Sequence, residues 1–244
     1  MKLICLGSSS HGNCYILQPK NGKCLIVEAG IEFKKVMQAV NFNIINIAGC
    51  LSTHIHSDHS RSIEDMLKYN ISVLVSNEHN EKCGIKNSLL KAIKPNDKIE
   101  IDKFSVIPFD VPHDVPCLGF LIHHAEMGAT LFATDTCYLP CTFSNLNNIL
   151  IECNYRKDIL DENIRSGRIQ FDQIKGTLSH MSYETCLQTL LANDLSAVNN
   201  IVLIHLSDIN SNAGEFQRGI HEATGKTVHI AEKGMIINFN KTPF

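Results

Sequence analysis

Thr53-His54-Ile55-His56-Ser57-Asp58-His59-Ser60 sets four strong metal ligands in the pattern H-x-H-x-D-H. The apolar residues before it, 47–52, read as a strand running into a tight loop. Positions two apart on a strand share a side, so His54 and His56 are expected to share one ion. Asp58 and His59 fall where the chain turns toward a helix; being adjacent, they are expected to serve a second ion, ~3.5–4 Å away as in two-metal hydrolases. A polar loop with unconnected surface histidines is the plain alternative, and this density of ligands at the end of an apolar strand weighs against it.

The chain has 244 residues with no linker-like stretch or charge run to divide it, so one domain over 1–244 is expected. A hydrophobic content of 44% supports a sizeable core. Lys+Arg of 22 against Asp+Glu of 25 gives a net charge of −3, so no global basic field points to a polyanion and any such binding must come from a local patch. The ten cysteines are scattered, without a C-x-x-C pair, and many lie inside apolar runs such as Leu3-Ile4-Cys5-Leu6, which fits reduced, core-filling thiols. Neither a secretory leader nor a run of ~18–20 apolar residues is visible, so no membrane span and a cytoplasmic location are expected.

Outward from the cluster, residues 2–6, 14–17 and 23–27 predict an antiparallel meander, with a hairpin turn at Pro19-Lys20-Asn21-Gly22. A helix follows between Ile31 and Val40, and residues 43–52 predict the strand that delivers the histidines. After it, Ser60 or Ser62 can cap a helix through Tyr69, and 71–75 predict a buried strand, completing a βαβ unit. Residues 77–97 read as helix and loop, 99–111 and 119–125 as strands, and 129–134 as a strand ending at Asp135. Strands at 149–153 and 201–205, helices within 158–170, 182–192 and 213–223, and a closing hairpin across Glu232-Lys233-Gly234 complete the chain. Both halves place strands first and then alternate strand and helix, which raises the suspicion of a repeat.

Three later residues stand at the ends of apolar strands, where a sheet presents a site. His113, stiffened by Pro112 and Pro116, can complete a three-histidine set with His54 and His56. Asp135 has two oxygens and can bridge both ions, and His205 can join Asp58, His59 and Asp135 around the second. Singly, each has a duller reading, as a loop histidine, a turn cap and a satisfied core histidine.

The cluster followed by His113, Asp135 and His205, with a β-meander before and alternating β and α after, resembles the metallo-β-lactamase fold over nearly the whole chain. That resemblance implies an α+β, four-layer αββα sandwich with two mixed sheets, metals at one edge between them, and a metal-bridging hydroxide as nucleophile. Within the fold, H-x-H-x-D-H is similar to the two-metal hydrolases: glyoxalase II types, lactonases, ribonuclease Z and related nucleases. Ile151-Glu152-Cys153-Asn154, Leu178-Ser179-His180-Met181-Ser182 and Leu206-Ser207 resemble ribonuclease Z, where such a Glu and His pair and the histidine protonates the departing oxygen. Gly7-Ser8-Ser9-Ser10-His11-Gly12-Asn13-Cys14 resembles the WalJ (YycJ) nuclease group, whose compact members act on DNA ends. The short interval between Asp135 and Glu152 leaves no room for an inserted β-CASP domain, and no Gly/Pro-rich arm like that of ribonuclease Z is visible. Glu28 stands where the family usually has Asp.

The expected function is a two-metal phosphodiesterase, a DNA exonuclease with DNA favoured over RNA as partner, using zinc or manganese, with iron admissible. Asp58 would orient the nucleophile and take its proton, and His180, kept charged by Glu152, would protonate the leaving oxygen. Ser8, Ser9, Ser10 and Asn13 are candidates to bind substrate phosphate, and Lys82, Lys86, Lys91 and Lys94 to guide a strand. Two other readings stay open: a thioester or lactone hydrolase of the same fold, which needs neither Glu152 nor His180, and a non-catalytic metal- or DNA-binding module. Oligomeric state is not legible.

Overall fold

The computed structural model describes residues 1–243. Its first sheet is built from β1 (Lys2–Gly7), β2 (Cys14–Gln18) and β3 (Cys24–Val27), then α1 (Phe33–Ala39) and β4 (Ile47–Leu51), the two short helices α2 (Ser57–Ser60) and α3 (Ile63–Lys68), β5 (Val73–Ser76), α4 (Asn77–Lys82) and β6 (Leu90–Ile93). The second contains β7 (Ile99–Ile101), β8 (Phe104–Val111), β9 (Cys117–His124), β10 (Gly128–Ala133) and β11 (Leu146–Glu152), and then, beyond α5 (Lys157–Arg165), α6 (Phe171–Leu178) and α7 (Tyr183–Ala192), β12 (Asn200–Ile204). After α8 (Ala213–Thr224) come β13 (Thr227–Ile230) and β14 (Ile236–Asn238).

Each sheet has seven strands, in the orders β14-β1-β2-β3-β4-β5-β6 and β13-β12-β11-β10-β9-β8-β7. In the first, β14, β1, β2 and β3 pair antiparallel and β3 through β6 parallel; in the second, β7 through β10 pair antiparallel and β10 through β13 parallel. The shared organisation of the two halves is therefore a matched order of pairings.

Strand periodicity separates the layers. Leu3, Tyr15, Leu17, Leu25, Val27 and Leu51 face Phe120, Phe132, Leu150 and Val202 in a core between the sheets. Their neighbours Ile4, Ile16, Ile26 and Cys50 turn outward against α1 and α3, through Val36, Met37, Met66 and Leu67. On the other side Leu131, Ile149, Ile151 and Leu203 meet Leu190, Phe216 and Ile220 of α7 and α8. Sheets buried on both faces give continuous apolar strands, and three apolar interfaces in series make the expected four-layer αββα sandwich.

Several expected elements are corrected. Residues 43–52 do not form one strand, because 44–46 wind into a 3₁₀ turn before β4. The 77–97 stretch carries a strand as well, β6, whose Lys91 lies on the sheet edge, where a lysine discourages further pairing. Residues 99–111 fold back at Asp102, with φ +55°, into the β7–β8 hairpin. No closing hairpin forms: β13 extends the second sheet beside β12, while β14 crosses to pair with β1. Helix α6 was not anticipated. Ser62 precedes α3, but its hydroxyl donates to the Ala29 carbonyl 2.9 Å away instead of capping. Seven of the ten cysteines are buried and all ten are free thiols. No helix of the described residues is long and apolar enough to cross a membrane.

Candidate metal centre

The candidate ligands follow strand ends at one edge of the sandwich: His54 after β4 in the first sheet, and His113, Asp135 and His205 after β8, β10 and β12 in the second. His54 and His56 meet for a different reason from the one expected. The strand stops at Leu51, and a bend folds the next residues so that His54 Nε2 lies 3.0 Å from His56 Nδ1. Asp58 and His59 sit on α2, with His59 Nε2 3.2 Å from Asp58 Oδ2.

His113 Nε2 lies 3.4 Å from His56 Nδ1, closing a three-histidine group. Asp58, His59, Asp135 and His205 form a second group, with ligand atoms within 4.8 Å of one another. Asp135 Oδ2 lies 3.2 Å from His59 Nε2 and 3.7 Å from His54 Nε2, so one carboxylate oxygen borders both groups. Asp135 and His205 hold φ of +51° and +55°, left-handed backbone that L residues adopt at a cost and that surrounding bonds must enforce. Around His205, Asn154 Nδ2 donates to its carbonyl at 2.7 Å and its own N–H donates to Ser8 Oγ at 2.9 Å.

Outer partners orient the rings. Thr53 Oγ1 lies 2.9 Å from His54 Nδ1 and Thr134 Oγ1 donates to Asp135 Oδ1 at 2.7 Å. Buried Glu28 accepts from the Thr53 N–H at 3.3 Å and brings Oε1 within 3.2 Å of His59 Nδ1, without the alignment of a hydrogen bond. Asp114 Oδ1, on the solvent side, lies 3.0 Å from His113 Nε2. Thr53, Thr134, Asn154 and Asp114 were given no role by the sequence reading, although each adjoins or closely follows a residue that reading had singled out.

Glu152 is fully buried and accepts four donors: His180 Nδ1 at 2.7 Å and His205 Nδ1 at 2.9 Å on Oε1, the N–H groups of Thr136 at 2.9 Å and Met181 at 3.1 Å on Oε2. Asp135, Glu152, His180 and His205 are also close enough together to hold an ion. A carboxylate has about four lone-pair directions, and Glu152's are occupied, which favours a structural acid gripping two histidines. His180 is then left with Nε2 free, its ring 5.1 Å from that of His205 and 6.0 Å from that of His113.

Charge argues that cations belong here. Glu28, Asp135 and Glu152 are each at most 3% exposed, and no lysine or arginine pairs with them among the described residues. Buried carboxylates must be answered by positive charge, here from histidines or from bound cations. His205 Nε2 is likewise buried without a hydrogen-bond partner. Burial, with the charge on His59, pushes His54 down to about 2, leaving a neutral imidazole of the kind that ligates metal. Burial works against a charged His205, yet Asp135, Asp58 and Glu152 raise it to about 10, so in this cluster the histidine charge answers the carboxylates. Mixed imidazole and carboxylate donors in two abutting groups fit two divalent ions.

The serines expected to bind phosphate are held differently from one another. Ser8 is tied inward to Tyr15 and His205, Ser9 Oγ accepts from the His11 N–H at 3.2 Å within its own turn, and Ser10 is exposed. Asn13 does reach the centre: its Nδ2 lies 3.0 Å from His59 Nε2 and donates to the carbonyls of Ser9 and Asp58. Lys82, Lys86, Lys91 and Lys94 are all exposed, on and around α4 and β6.

No protein-family model matches the chain. The anti-Pycsar protein Apyc1 of Bacillus phage 010DV004 is 30% identical over 80 residues, 30% of this chain; the match spans 31% of the phage protein's length. The structure of YhfI from Bacillus subtilis, a metallo-β-lactamase fold protein, superposes with a TM-score of 0.76 at 15% identity, over 97% of this chain and 98% of that one. A diphosphatase of the PhnP family gives 0.70 at 14% identity, over 97% and 96%, and the short form of human tRNase Z gives 0.63 at 15% identity, over 98% and 99%. The chain has the metallo-β-lactamase fold.

Proposed function

We propose that this metallo-β-lactamase-fold chain is a two-metal phosphodiesterase that cuts nucleic acid, DNA in preference to RNA, in the cytoplasm. The observation that carries the reading is the Glu152–His180 pair, 2.7 Å apart beside the metal centre. A thioester releases a thiolate, which leaves without a proton, whereas an alkoxide leaving from phosphorus needs one. The names of two structural neighbours, a tRNase and a diphosphatase, support phosphorus–oxygen bond cleavage. The WalJ-like motif at residues 7–14 supports DNA.

His54, His56 and His113 would hold one ion, Asp58, His59 and His205 the other, and Asp135 would border both. Zinc or manganese bound there supplies an acidified water at neutral pH and positive charge against a phosphoryl oxygen. Asp58, whose carboxylate is one-fifth exposed, would orient that water and take its proton. Burial disfavours a charged His180, but Glu152 raises it above the usual histidine range, so the ring carries a proton at Nε2 for the leaving sugar oxygen. Gripped at Nδ1, the ring is held in one orientation while it gives that proton up.

Metal analysis followed by cleavage of end-labelled single- and double-stranded DNA and RNA, with wild type and His180→Ala, tests this. Loss of about 10²–10⁴-fold with both metals retained is expected. Undiminished cleavage by His180→Ala, or a two-metal wild type inert on every nucleic acid, overturns it.

A further inference from the structure

Ser8 is held in a way that fixes the direction of its own proton. Tyr15 is 1% exposed, and its hydroxyl lies 2.8 Å from Ser8 Oγ. Were Ser8 the donor in that pair, the Tyr15 proton would be left in the core without an acceptor, so Tyr15 donates. The His205 N–H, which can only donate, takes the other lone pair at 2.9 Å. A hydroxyl with both lone pairs engaged can only donate outward. Ser8 is half-buried and lines a cavity of about 390 Å³, walled by the 7–12 loop and by residues 231–233, and its bond to the His205 N–H ties that wall to the metal centre.

Lys35 and Lys233 border the same cavity. Lys233 is exposed and has no carboxylate partner among the described residues, while Lys35 shares its charge with Glu32, 3.2 Å away. Glu232 on the same wall opposes them, so the positive margin is small. We infer that this cavity is a second anion subsite, taking a phosphate that flanks the scissile bond, with the Ser8 hydroxyl as a donor that admits acceptors and Lys233 as the main charge. The subsite rests on the phosphodiesterase reading for its role, and it distinguishes a polynucleotide from an isolated phosphate ester.

Inorganic pyrophosphate is titrated calorimetrically into metal-free protein. Lys233→Ala is expected to weaken binding about threefold and Glu232→Gln to strengthen it by a similar factor, as for an exposed charge, with zinc affinity unchanged in both. Pyrophosphate binding that moves in neither variant, or in the same direction in both, overturns the subsite. On metal-loaded protein, Lys233→Ala should raise KM for a short oligonucleotide and leave kcat alone, with turnover of bis(p-nitrophenyl) phosphate, which has a single phosphorus, unchanged. An unchanged oligonucleotide KM refutes the role in substrate binding. A wild type that turns over neither substrate refutes the phosphodiesterase reading instead, and the pyrophosphate titration still decides whether the subsite exists.

Discussion

Gly30→Ala should damage the second ion's site without replacing a ligand. A Cβ on Gly30 would fall 1.5 Å from the Asp58 carbonyl oxygen, 2.2 Å from its carbon and 2.8 Å from the Asn13 nitrogen, all backbone atoms. Contacts under 3.0 Å do not occur for real Cβ atoms, so the Asp58 peptide must retreat by about 1.5 Å. That carbonyl accepts the Asn13 N–H at 2.8 Å, and Gly30 itself donates to the Asn13 carbonyl at 2.9 Å, so the retreat breaks the clamp between the 7–13 loop and α2. Overpacking at about 1–3 kcal/mol and a buried hydrogen bond left unmade at about 1–3 kcal/mol combine to roughly 4 kcal/mol. For a domain of this size that is a fall in Tm of about 8–16 °C. Because Asp58 and His59 move with the peptide, affinity for the second ion should fall about 10–100-fold, as when a group supporting a ligand is lost. Calorimetric unfolding and a zinc titration against a chromophoric chelator read the two effects. Gly49→Ala is the control, since its nearest neighbour, the Ser72 carbonyl oxygen, is 3.2 Å away and within the reach of small adjustments. Gly30→Ala with stability within about 1 kcal/mol of wild type and both zinc affinities intact would refute the reasoning.

Chelating both metals from protein prepared at about 1,000 times each dissociation constant should cost about 4 kcal/mol per ion, about 8 kcal/mol in all, and lower Tm by about 16–32 °C, reversed on zinc addition. Asp135→Asn should weaken both ions, because Oδ2 borders both groups, whereas His113→Ala should weaken one; metal stoichiometry by elemental analysis separates them. His79, on α4, is 4% exposed, and burial pushes it down to about 4. The folded state therefore binds fewer protons than the unfolded state between pH ~6.5 and about 4, and the stability present above pH ~6.5 is lost as pH falls through that window, by up to about 3 kcal/mol. His79→Gln should flatten that stretch of the pH–stability curve in urea unfolding, and an unchanged slope would contradict the assignment.

Local chemistry made much of the fold legible. Strands buried on both faces carry continuous apolar runs, so β4, β5, the 149–151 run of β11 and the 201–204 run of β12 announced themselves, and a ligand just past a strand end was readable because site residues collect there. Short elements were less legible: β6 has too few apolar residues to set a period, β7 was read as strand without the turn that parts it from β8, and α6 follows directly on a loop. The 3₁₀ turn at 44–46 shares the composition of a strand, and only its backbone distinguishes it.

By itself the sequence determined which residues have the chemistry to bind metal and their order along the chain, because ligand type and spacing are local properties. Tertiary structure decided the rest. It alone crosses β14 to the first sheet, since strand pairing depends on partners more than 200 residues apart, Lys2 with Asn238. It alone makes Ser8 an acceptor for Tyr15 and the His205 N–H and so leaves its own proton to donate, because a hydroxyl's role is set by the groups that reach it in space. And it alone fills all four lone-pair directions of Glu152, which separates an acid that grips His180 and His205 from one that would bind an ion.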